Sequence, residues 1–113
     1  TDRYMKLACE WVASQPEYVP GSRLMLDIRE KKENGVRRLP LHVVLKSEEG
    51  EVLADGITPG PSDDMRKFLE IRLPDNISRG MLEFKLPDGT VRHEPVAHTE
   101  APVQILNFFV PAP

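Results

Sequence analysis

Residues 69–92 carry the same pattern twice: LEIRLPDNISR, and then LEFKLPDGTVR thirteen residues further on. Each copy alternates apolar and charged residues and ends in Leu-Pro-Asp and a turn. An alternation of period two puts every second side chain on one face of a strand, which a helix cannot do. Leu69, Ile71 and Leu73 form one apolar row, and Leu82, Phe84 and Leu86 form the other. Glu70, Arg72, Glu83 and Lys85 take the opposite parity. The pattern predicts two successive antiparallel strands lying side by side, which meet the same core and turn demands. Opposite charges paired across them would contribute roughly 0.2–1 kcal/mol each.

The same alternation runs through most of the chain. Strands are predicted over 24–29, 39–46, 51–57, 67–73, 81–86, 90–96 and 103–110. They are separated by Asn34-Gly35, a polar turn at 47–50, the TPGPSDD loop at 58–64, Pro87-Asp88-Gly89 and a loop at 98–102. Glycine and proline at these points supply the φ values that tight turns need. The strand at 103–110 is apolar in both rows, with Val103, Ile105 and Phe109 on one side and Leu106, Phe108 and Val110 on the other. It is therefore expected to be buried on both faces, or to have one face covered by a partner.

Residues 2–15 are the exception. Tyr4, Leu7, Ala8 and Trp11 fall at i, i+3, i+4 and i+7, flanked by Met5, Cys9 and Val12, and Pro16 follows. This is an amphipathic helix stopped by proline. The predicted organisation is an N-terminal helix and Pro-bounded connector at 1–21, then a β-domain at 22–113. A chain of 113 residues is the size of one domain.

Seven short strands with frequent Pro and Gly predict a mainly β antiparallel sandwich of about seven strands with one N-terminal α-helix. Residues 43–58, VVLKSEEGEVLADGIT, resemble the first hairpin of immunoglobulin-like or transthyretin-like sandwiches. The resemblance implies that architecture and no activity.

Composition narrows function by exclusion. The net charge is −3, and the basic residues Arg37 and Arg38, with Lys31 and Lys32, stand beside Glu30 and Glu33. Nucleic-acid binders present a basic face instead. One cysteine allows no internal disulfide, and no run approaches the roughly 20 apolar residues of a membrane helix. With no visible signal peptide, these features favour the cytoplasm. The chain begins at Thr1 and ends in prolines, which suggests a piece of a larger protein.

No chemical constellation emerges. His93 and His98 stand five apart with Glu94 and Glu100 nearby, a spacing that splits them between the two faces of a strand. A metal needs ligands converging at about 2 Å. Cys9 adjoins the apolar helix face with no histidine near it in sequence. Asp63-Asp64 and Glu48-Glu49 sit in turns, where neither partner is desolvated as acid–base work requires. Asn76-Ile77-Ser78 fits a glycosylation triplet but is read as a simple turn. Arg37, Arg38 and Ser78 approximate the PilZ cyclic-dinucleotide pattern, an arginine-rich loop with D/N-x-S-x-x-G, but the serine-to-glycine spacing is one residue short. Catalytic, cofactor and metal residues are therefore assigned to none.

The expected role is a non-catalytic accessory module that contacts a protein partner or a neighbouring domain of its own chain. Tyr4, Trp11, Leu106, Phe108 and Val110 are its candidate surface. A carbohydrate- or small-ligand-binding module is the alternative, and a PilZ-like regulatory domain using Arg37, Arg38 and Ser78 is a third.

Overall fold

The computed structural model describes residues 23–101 and 103–111. The helix expected over 2–15 and the connector after it lie outside these residues, as do Tyr4, Cys9 and Trp11. The described chain is mainly β: β1 (Arg23–Lys32), β2 (Gly35–Arg38), β3 (His42–Lys46), β4 (Val52–Ile57), β5 (Leu69–Arg72), β6 (Arg79–Lys85), β7 (Val91–Ala97) and β8 (Val103–Val110).

The strands form two four-stranded sheets. In the first, β1 is the spine. Its residues from Arg23 to Glu30 pair in parallel with β8. A strand has only two edges, so β5 and β2 share the other one end to end. β5 pairs antiparallel with residues 23–26 and β2 with residues 29–32. The second sheet runs β4-β3-β6-β7, all antiparallel.

Leu24, Leu26 and Ile28 of β1, Val43 and Leu45 of β3, and Leu82 and Phe84 of β6 meet between the sheets with at most 2% exposure. Leu69, Ile71 and Leu73 join them. Burying each such side chain stabilises the fold by about 1.5–3 kcal/mol. The shared core makes the arrangement two-layered and sandwich-like.

The twin segments depart from the expected pairing. β5 lies in the first sheet beside β1, and β6 lies in the second between β3 and β7. They contribute to opposite walls of one core and are not hydrogen-bonded neighbours. Alternation states which side chains turn inward and is silent on which layer carries the strand. Residues 73–78 carry the chain across, with Leu73 fully buried and Ile77 packed on the core. The charged rows consequently point to separate outer surfaces. Glu70 pairs with Arg23 on one, and Glu83 with Lys46 on the other.

Two further differences have local causes. There are eight strands among the described residues, because Gly35–Arg38 forms its own short strand against β1. Leu39, Pro40 and Leu41 then cross to the second sheet, where β3 begins. In β4 a register shift opposite Leu45 and Lys46 breaks the alternation. Ala54 pairs with Leu45, while Val52 pairs with Lys46 and is 58% exposed. A bulge of this kind moves a side chain to the other face.

Two turns repeat one device. Gly50 N–H donates to Ser47 O at 3.0 Å, and Gly89 N–H to Leu86 O at 2.9 Å. Both glycines have φ near +90° (89° and 92°), a region L side chains avoid.

Candidate interaction surface

The register of β1 and β8 builds the outer face of the first sheet. Arg23, Met25, Asp27 and Arg29 stand beside Val103, Ile105, Asn107 and Phe109. On the other edge, Arg72 and Glu70 flank Arg23 and Met25, and Arg38 flanks Arg29. The alternate residues Leu24, Leu26 and Ile28 are buried in the core, so this whole set faces away from it. The result is an apolar strip along β8 bordered by arginines. Ile105 is 61% exposed and Phe109 56%.

An acid lies at the centre of this face. Asp27 is only 2% exposed although its row points outward. Arg29 Nε donates to Asp27 Oδ2 at 2.8 Å, and Arg38 Nε stands 4.0 Å from Oδ1. Among the described residues, Asp27 Oδ1 accepts no hydrogen bond. Arg38 also donates through Nη1 to the carbonyls of Asp63 and Arg66, at 3.4 and 3.3 Å. It therefore fastens the loop after β4 to β2 while its charge offsets Asp27.

From behind, β8 is held by the second sheet. Arg92 of β7 donates through Nη1 to Phe109 O at 2.8 Å. Its guanidinium carbon lies 5.8 Å from the Phe84 ring centre and 5.6 Å from that of Phe108. The two rings are 5.6 Å apart and tilted by 38°. Cation–π contact and aromatic packing thus close the gap between the edge strands of the two sheets.

This geometry sorts the residues singled out from sequence. Leu106 and Phe108 are half-buried against the core, and Val110 is within it at 5% exposure. The row turned outward is the other one, Val103, Ile105, Asn107 and Phe109. Both rows are apolar, so parity alone could not choose between them. Each row also holds one polar residue, Asn107 outward and Gln104 inward, so composition does not choose either. Arg37 pairs with Glu30 at one end of β1, and Arg72 pairs with Arg23 at the other. Ser78, whose carbonyl accepts from His98 N–H at 3.3 Å, follows from the Arg72 end. The structure therefore does not bring Arg37 and Ser78 together.

The remaining polar residues serve local structure. His42 Nε2 lies 2.6 Å from Asp55 Oδ2, with both side chains more than half exposed. His93 Nε2 is 3.7 Å from Glu83 Oε1. His98 Nε2 meets Pro74 O at 2.9 Å. The Lys46 side-chain hydrogen bond holds the Glu83 carboxyl below its ordinary pKa. The Arg66 backbone N–H does the same for Asp63, aided by the Arg66 guanidinium, and the Thr90 backbone N–H does so for Asp88. All three stay ionised, which suits turn and strand anchors rather than proton donors. Among the described residues no group of three or more His, Cys, Asp or Glu is placed to hold a metal ion. No helix among them is long and apolar enough to cross a membrane.

Compared with known proteins, the chain matches no family model, and no curated protein matches it.

Proposed function

We propose that this chain is a non-catalytic β-sandwich module that contacts another protein segment through the outer face of β1 and β8. The observation that carries this reading is the outward apolar row. Ile105 and Phe109 project large side chains into solvent from a strand whose other row is packed on the core. Arg23 and Arg29 stand directly beside this row. Aromatic and arginine side chains are enriched where protein contacts concentrate their energy.

The sheet order supports a sandwich of the immunoglobulin-like or transthyretin-like kind. The β4-β3-β6-β7 sheet follows the C′-C-F-G order of immunoglobulin domains, and β1 pairs with β5 as strand B pairs with E. The parallel β8 then takes the remaining edge of β1, where strand A would lie.

The test compares the full chain with an Ile105→Glu/Phe109→Glu variant. Proteins retained by the wild type alone are purified and titrated against both by calorimetry. Affinity at least tenfold weaker for the variant supports the reading. Equal affinities, or binding only to glycans and independent of these two residues, overturn it.

A further inference from the structure

We propose that the occupant of the β8 outer row is the chain's own N-terminal segment, whose amphipathic residues 2–15 lie across Ile105 and Phe109. This rests on the reading of that face as a contact face, and it names the partner in cis.

The chain path supplies the first argument. Residue 22 leads directly into Arg23, which begins β1 and stands beside Val103, the first residue of β8. β1 and β8 are parallel, so the segment joins the face at the starting end of both strands. Residues 16–22 of the connector, fully extended, span at most about 24 Å. That length lets a preceding helix fold back over the face, antiparallel to β1.

Dimensions supply the second. A helix over 2–15 would be about 21 Å long at 1.5 Å per residue, and the eight residues of β8 extend about 26 Å. On such a helix Tyr4 and Trp11 would stand two turns apart on one face, about 10 Å along the axis. Ile105 and Phe109 are separated by about 13 Å along the strand. An antiparallel helix places Trp11 toward Ile105 and Tyr4 toward Phe109.

Complementarity supplies the third. The apolar residues Tyr4, Leu7, Ala8 and Trp11 need an apolar surface. Among the described strands, β8 bears two of the large exposed apolar side chains on one outward row, at 61% and 56% exposure. Arg23 and Arg29 of β1 border that row on one side.

Trp11 is the only tryptophan in the chain, so its fluorescence reports on this segment alone. In the full-length chain its emission should be shifted to the blue relative to urea-unfolded protein, and acrylamide should quench it poorly. Ile105→Glu should shift the emission to the red and raise the quenching constant at least twofold, with the far-ultraviolet signal of the sheets retained. If Ile105→Glu does not fold, Phe109→Ser takes its place. The proposal is overturned if Trp11 is as accessible in the wild type as in the unfolded chain. It is equally overturned if its protection persists in the folded variants, or disappears on dilution as protection by a second copy would. None of these results bears on whether another protein binds the same face, which the calorimetric comparison reads separately.

Discussion

Arg92 on β7 donates a hydrogen bond to the carbonyl of Phe109 on β8, at 2.8 Å, and so ties the edge of one sheet to the edge of the other. The same guanidinium covers the Phe84 and Phe108 rings. One side chain therefore fastens β8 to the second sheet, while the pairing with β1 fixes which of its phenylalanines turns outward.

Arg92→Ala removes this bond, the Arg92 Nε–Glu94 Oε1 hydrogen bond at 2.6 Å and the two ring contacts. The expected loss of stability is about 1–3 kcal/mol, combining a hydrogen bond from a charged donor with a half-exposed cation–π contact. Urea unfolding followed by far-ultraviolet circular dichroism checks it. Arg92→Lys should recover only part of the loss, because an ammonium has no planar face to lay over the rings.

Thr58 is 1% exposed and links the crossing segment to β4. Its hydroxyl accepts from Leu41 N–H at 2.9 Å and donates to Leu39 O at 3.0 Å. Thr58→Val keeps the volume and leaves those part-buried backbone groups without this partner. It should cost about 1–3 kcal/mol, whereas Thr58→Ser should cost less in the same denaturant titration.

Gly80 and Gly56 are both crowded, with different consequences. A Cβ on Gly80 would meet Leu45 Cδ1 at 2.9 Å and the Lys46 carbonyl oxygen at 3.1 Å. The three atoms nearest a Cβ on Gly56 would all belong to the Leu69 side chain, the closest at 2.6 Å. A side-chain tip moves and a paired backbone carbonyl does not. Gly80→Ala should therefore destabilise by about 1–3 kcal/mol and Gly56→Ala by less, as differences in melting temperature would show.

The depressed carboxylates set the acid limb. Asp63 and Glu83 have folded pKa values below their ordinary ones. Such groups favour the folded state above about pH 4, the unfolded carboxylate range. That contribution disappears as pH falls through the lower folded values. An Asp63→Asn/Glu83→Gln variant should start less stable at pH 7 and lose less between pH 4 and pH 2 than the wild type. Thermal melts across that range measure it.

Much of the core was legible in the sequence, because period-two alternation names the buried member of each pair. Leu24, Leu26, Ile28, Leu69, Ile71, Leu82 and Phe84 all face inward as their parity requires. What alternation omits is the assignment of strands to layers, and this is why β5 and β6 look like neighbours in sequence and stand on opposite walls. The four residues of β2 were too short and too charged, as GVRR, to register as a strand. In β4 the register shift defeated the period itself. The surface was not legible from parity, since each row of β8 holds three apolar residues and one polar one, Asn107 outward and Gln104 inward.

The adjacent pair Phe108 and Phe109 tests the account most directly, through equilibrium unfolding of Phe108→Ala and Phe109→Ala. Phe108 packs on the core and under Arg92, while Phe109 is 56% exposed on the outer face. Phe108→Ala should cost about 2–3 kcal/mol, toward the lower end for a large-to-small core change. Phe109→Ala should cost less than Phe108→Ala, because the Phe109 side chain does not pack on the shared core. The reverse order, with Phe109 the costlier loss, would mean that β8 presents its other row to the core, and would contradict the contact face built on Ile105 and Phe109.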